Sequence, residues 1–189
     1  MSLRKKMLVS LFAALLCVSS YVVIPIGPVP VTLQVLFVLL AGAILGAEMG
    51  ALSVVIWIML GSFGLPVFAG GKAGPMVLFG PTGGYLLGFV ICAWIVGRLT
   101  SNHAASKMRT GAAMLLGLSV AYAVGLAGFM ASFAYFLHKP MTVQQALPIA
   151  VLPFVPFDLV KVVLGAWLAP TLIAALSRAG FVESGQEHA

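Results

Sequence analysis

Apolar residues run in blocks of a dozen or more along most of the chain, parted by short stretches where Gly, Pro or charged residues gather. Such blocks predict helices, because a half-buried strand alternates at every second residue and is over in about eight. The pattern places helices at about 7–24, 32–47, 49–61, 83–99, 110–137 and 157–176. The weakly alternating segments of a membrane barrel, about ten residues each, are missing.

The breaks are as telling as the blocks. "GAEMGA" around Glu48 reads as a tight turn between the second and third helices. "PIGPVPVT", with Pro25, Pro28 and Pro30, is expected to form a rigid extended link between the first and second. Residues 61–89, "GSFGLPVFAGGKAGPMVLFGPTGGYLLGF", hold too much Gly and Pro for one helix and too little polarity for a solvated loop. Backbone of that kind survives at membrane depth only when buried in protein or lining a cavity, so this stretch is expected to fold back over the bundle. "TVQQALPIAVL" opens on Thr142 with Gln145 three residues later, the pattern of a capping box, and predicts a short helix. Pro153 and Pro156 then bar an unbroken run, so the last long helix is expected to start near Pro156 or Phe157.

Composition turns these helices into membrane spans. Of 189 residues, 62% are hydrophobic and only 7% charged, with a mean hydropathy of +1.16. A soluble domain is about a quarter charged, since it must present a solvated surface. The expected fold is therefore an all-α integral membrane protein: one domain over 1–189, a six-transmembrane-helix bundle whose Gly/Pro-rich outer loop folds over a substrate pocket.

The net charge of +6 is better explained by membrane orientation than by nucleic acid, because the basic residues neither cluster with aromatics nor share a polar face. Six spans put both termini on one side, together with Arg4, Lys5, Lys6, Arg98, Lys107, Arg109 and Arg178; Lys72 and Lys139 fall on the other. That bias predicts cytoplasmic termini, a short cytoplasmic tail at 177–189, and outward-facing Pro-rich and Gly-rich loops. The basic start followed by an apolar core resembles a secretory signal, but the apolar run continues through Tyr21 to Ile24 and reads as a retained first helix. Cys17 and Cys92 lie inside apolar blocks with no metal-ligand spacing and read as buried thiols.

Against this background Asp158 and Lys161, in "PFVPFDLVKVVLG", stand out. Three helical residues separate their directions by about 60°, so both heads can share a face. An ionisable group at membrane depth costs on the order of 3 kcal/mol even on the lenient scale, so each needs a partner. Either the two neutralise each other and lock the helix, or they form a polar floor for a solute, Asp158 accepting from N–H donors and Lys161 donating to a carbonyl or carboxylate. Thr32 and Gln34 are expected at the outward end of the second helix. Gln34 there suits an amide-like ligand or, equally, a helix cap. Thr82, Gly83 and Tyr85 sit at the outward start of the fourth helix and join the candidate site, Tyr85 as a pocket wall or an interfacial anchor. Trp57, Trp94 and Trp167 read as packing or lipid-facing residues, and His103 and His138 as loop residues without metal-ligand spacing.

The sequence has no phosphate-binding GxxxxGK[ST] loop, no HExxH and no GxSxG elbow, and one intramembrane carboxylate is too few for a paired-acid protease. No enzyme class is indicated, and no metal site.

"GPVPVTLQ", "GLPVFAGGKAGPMVLFGPTGGYLLGF" and "PFVPFDLVK", in that order, resemble the BioY family, the biotin-binding S components of energy-coupling-factor (ECF) transporters. The resemblance spans roughly residues 8–176. It implies a prokaryotic cytoplasmic (inner) membrane protein that captures biotin at the outer face and releases it to the cytoplasm. It also implies partners, a coupling transmembrane subunit and two ATPase subunits that use ATP, and no cofactor bound by the chain itself. The family's Asp and Lys fall on Asp158 and Lys161, although the usual form there is closer to "PGDLVK" and this chain has Phe157 before the acid. Lys72 stands where family members often have a smaller residue, and reads as a solvated surface charge. Ser10 with Ala14, or Ala13 with Cys17, give a loose small-x-x-x-small pattern of the kind the family sets against its coupling subunit. Two other readings stay open: an S component for another small vitamin, and a membrane scaffold with a structural Asp/Lys pair.

Overall fold

A computed structural model describes residues 3–25, 28–100 and 106–181 of the chain. His103 and residues 182–189 of the expected tail lie outside the described residues. Helices account for most of it: α1 (Leu3–Ser19), α2 (Gln34–Leu45), α3 (Ala47–Ser62), α4 (Met76–Phe79), α5 (Gly83–Leu99), α6 (Lys107–Tyr135), α7 (Val143–Ala150) and α8 (Val155–Arg178). Two of them, α6 and α8, are long and apolar enough to cross a membrane, while α2, α3 and α5 are apolar but shorter.

The all-α expectation needs one addition. The first helix stops at Ser19, not near residue 24, and β1 (Val23–Ile24) pairs antiparallel with β2 (Val31–Thr32), Val23 opposite Thr32 and Ile24 opposite Val31. The prolines that bar a helix here leave β-branched residues on either side free to pair. Thr32 accordingly lies in a strand, and α2 begins at Gln34.

The α2–α3 junction is a single residue. Gly46, at φ +79°, closes α2 with its N–H on the Gly42 carbonyl and opens α3. Only glycine adopts that conformation without strain, which is what lets the two helices turn so sharply. Glu48 occupies the first turn of α3, where the helix dipole favours an acid.

Helices α5 and α6 share the most extensive contact in the bundle, and α5 also packs on α2 and α3. The α5–α6 approach depends on Gly84 and Gly128: a Cβ on Gly84 would fall 2.7 Å from the Gly128 Cα, and one on Gly128 2.5 Å from the Gly84 Cα. Small residues of this sort are how membrane helices come close enough for dispersion to hold them. α8 lies between α2 and α6. Its buried residues, Asp158, Lys161, Val162, Gly165, Ala166 and Ala169, form one helical stripe, while Val160, Val163, Leu164 and Trp167 are exposed. From Val155 to Ala169 every exposed residue of α8 is apolar, a face that suits lipid, not water.

The Gly- and Pro-rich stretch between α3 and α5 is ordered by its own polar groups. Phe68 N–H donates to the Lys72 carbonyl, Gly70 N–H to Ser20, and Gly74 N–H to Gly61. Trp57, fully buried in α3, donates its indole N–H to the Val67 carbonyl at 2.8 Å and makes a T-shaped contact with the Phe68 ring, 5.6 Å between centroids. The segment therefore lies down on the helices, with much of its backbone hydrogen-bonded. Trp94 and Trp167 are exposed. α7 carries the predicted capping box, Thr142 with Gln145, and α8 has Pro156 in its first turn.

Candidate functional site

The stripe on α8 ends in its two charged residues. Asp158 and Lys161 are 3% and 7% exposed, and Lys161 Nζ lies 2.6 Å from Asp158 Oδ1. Burial this deep is tolerable only with further hydrogen bonds, and each residue has one from another element. Lys161 also donates to the Thr32 carbonyl at 2.6 Å, and the Tyr122 hydroxyl of α6 donates to Asp158 Oδ2 at 2.6 Å. The pair thus ties α8 to β2 on one side and to α6 on the other.

All four residues line a cavity of about 60 Å³. Its walls are apolar, with Val35 from α2, Leu86 and Phe89 from α5, and Phe154 at the start of α8. The Gly-rich segment contributes Phe68, Ala69 and Lys72, and α4 contributes Val77. Chemically this is a small apolar box with donors and an anion on its floor and a cation at its edge.

Of the sequence candidates, Asp158, Lys161, Thr32, Gln34, Thr82 and Tyr85 all line the cavity. Gly83 is buried but does not line it; a Cβ there would fall 1.8 Å from the Leu78 carbonyl oxygen, so its place is where α4 passes the start of α5. Tyr85 is buried as a wall, with its hydroxyl donating to the Ala150 carbonyl at the end of α7 and its ring edge-on to Phe154. Thr32 hydroxyl donates to Gln34 Oε1 at 2.9 Å. Two polar residues of the lining escaped the sequence reading. Tyr122 sits in the apolar run "VAYAVG" with no local signal, and Lys72, expected as a solvated charge, lines the cavity while remaining exposed. Cys17 and Cys92 are free thiols, and no cluster of metal-ligating side chains occurs among the described residues.

The model of the BioY family matches residues 1–178. This chain belongs to the BioY family. A BioY relative from Thermotoga maritima, named a biotin transporter, is 41% identical over 169 residues, covering 88% of this chain and 94% of that protein. Another biotin transporter BioY, from Rhodobacter capsulatus, is 39% identical over 177 residues, covering 89% and 93%. Among solved structures, the crystal structure of the S-component for biotin from an ECF-type ABC transporter superposes with a TM-score of 0.79 at 26% identity, covering 91% of this chain and 94% of that one. BioY relatives are transporters by name, in keeping with a chain that carries no catalytic motif.

Proposed function

We propose that the chain is the substrate-binding membrane subunit for biotin uptake. One observation carries this reading: the Asp158–Lys161 pair, braced by Tyr122 and the Thr32 carbonyl, lines an apolar cavity instead of being sealed between helices. The ureido ring of biotin has two N–H donors and a carbonyl. Asp158 accepts from the N–H groups and Lys161 donates to the carbonyl, exchanging part of their mutual contact for the ligand. The fused ring lies against Val35, Leu86, Phe89 and Phe154, as an apolar body in an apolar box. The valerate chain runs toward the Gly-rich segment, where the Lys72 ammonium and backbone N–H groups receive its carboxylate. A cavity of about 60 Å³ holds only a few waters, at about 10–15 Å³ each.

The wider reading has α1, α2, α3, α5, α6 and α8 as six spans in a single domain, with both termini in the cytoplasm of a prokaryotic cell and the Gly-rich segment on the outer face of its cytoplasmic membrane. The Lys and Arg distribution supports that orientation. The 12 residues of α2 reach about 18 Å. ATP is used by partner subunits, two ATPases acting through a coupling transmembrane subunit, which turn the loaded pocket toward the cytoplasm.

Labelled-biotin binding by the purified chain tests the reading, with thiamine and riboflavin as competitors. Displacement by excess biotin and not by the other two is expected. Displacement by thiamine or riboflavin alone would assign the pocket to another vitamin.

A further inference from the structure

Among the described residues, two buried side-chain polar atoms have no hydrogen-bond partner: Gln34 Nε2 and Ser132 Oγ. Gln34 lines the cavity and Ser132 does not. Native proteins leave few buried donors unpaired, so a buried amide facing a ligand cavity is a donor held for the ligand. The orientation of that amide follows from its neighbour. Thr32 Oγ1 accepts the Gln34 backbone N–H at 3.3 Å and donates its own proton to Gln34 Oε1 at 2.9 Å. Were the amide turned over, the hydroxyl would face two donors and its proton would lack an acceptor. Thr32 thus fixes Oε1 and leaves Nε2 without a protein partner, in a residue that lines the cavity.

Counting what stays available gives the recognition pattern. Lys161 spends one proton on Asp158 and one on the Thr32 carbonyl, leaving one of three. Asp158 accepts from Lys161 and Tyr122 and keeps a lone pair on each oxygen. Beside the Asp158–Lys161 pair the cavity therefore offers two kinds of donor, the Gln34 amide and the Lys161 ammonium, next to one anionic acceptor, while Thr82 and the exposed Lys72 line other parts of the wall.

We infer that Gln34 is a specificity-determining residue which, with Lys161, donates to the ligand's carbonyl oxygen and so selects a cyclic urea over its imino analogue. The inference rests on the biotin reading of the same site. In 2-iminobiotin the urea oxygen is replaced by a nitrogen that, protonated near neutral pH, has only hydrogens to offer. Gln34 and Lys161 would then meet donors and a like charge. Sites built to hydrogen-bond a particular group reject analogues that cannot reciprocate, because their own buried groups are left unpaired.

The test compares biotin, desthiobiotin and 2-iminobiotin on the wild-type chain, on Gln34→Met, which keeps the side-chain length, and on Gln34→Glu, which keeps the acceptor for the Thr32 hydroxyl. Wild type should bind 2-iminobiotin at least about a hundredfold more weakly than biotin. Gln34→Met should weaken biotin and desthiobiotin together, on the order of tenfold, and 2-iminobiotin by less than about threefold. Gln34→Glu should narrow the biotin-to-iminobiotin ratio by about tenfold or more. Wild-type affinities for biotin and 2-iminobiotin within about threefold of each other would overturn the inference without any variant having to fold. So would an equal loss of both ligands in a folded Gln34→Met chain. A wild-type chain that binds no biotin overturns the functional reading itself, whereas biotin binding without discrimination overturns only the role of Gln34.

Discussion

Lys161 Nζ sits 2.6 Å from Asp158 Oδ1, one helical turn away on α8, and the two are buried together on the floor of an apolar cavity. A pair like this is weak evidence for stability on its own, since two apolar residues of similar volume often serve as well. Removing one partner is different, because the other is left charged and alone. Lys161→Ala should lower unfolding stability by about 3–5 kcal/mol and abolish biotin binding. The double variant Asp158→Leu with Lys161→Met should recover most of the stability and still not bind biotin. Thermal unfolding of the detergent-solubilised variants, with and without biotin, separates the two effects. A double variant as unstable as the single one would make the pair a structural lock.

Tyr122 holds the far oxygen of Asp158 at 2.6 Å from α6. Tyr122→Phe keeps the ring in the cavity wall and deletes that bond alone. A hydrogen bond to a charged group is worth about 1.5–3 kcal/mol, so calorimetric titration should show biotin binding weakened by an amount in that range. An unchanged Kd would mean that Asp158 is positioned by Lys161 only.

Lys72 is exposed at the edge of the cavity and has no ion pair among the described residues. If its ammonium receives the valerate carboxylate, Lys72→Ala should cost biotin about 0.5–1 kcal/mol, the scale of an exposed pair. Biotin amide, with no carboxylate, should be unaffected. The wild-type preference for biotin over its amide should also shrink as salt rises. An equal loss for both ligands would remove the proposed ion pair.

Gly84 and Gly128 bring α5 and α6 together with no room for a Cβ on either. Gly84→Ala should destabilise the bundle by about 1–3 kcal/mol through overpacking. Combining it with Gly128→Ala should cost less than the sum of the two, since the first substitution has already parted the helices. Strict additivity of the melting shifts would show that the two glycines act independently.

What the sequence revealed and what it hid have a common physical cause. Asp158 and Lys161 were legible because charge is expensive in an apolar run and their spacing puts them on one face. The capping box at Thr142 and Gln145 and the start of α8 next to Pro156 were legible because their chemistry is local. Tyr122 was hidden: a tyrosine in an apolar helix looks the same whether it faces lipid or a carboxylate 36 positions along the chain. The β1–β2 hairpin was hidden too, because each strand is only two residues long and stands beside prolines that read as a plain linker. Lys72 looked like surface charge because only the fold brings the Gly-rich segment over the cavity.

The central claim is that this cavity, with Asp158 and Lys161 on its floor, takes biotin. Isothermal titration of biotin into the purified, ATPase-free chain, run beside the Asp158→Leu, Lys161→Met double variant, tests it most directly. One saturable site per wild-type chain and none in a double variant that still unfolds cooperatively is the predicted result. Equal binding by the two chains, or no heat from a folded wild-type chain that was not already loaded with biotin, would contradict it.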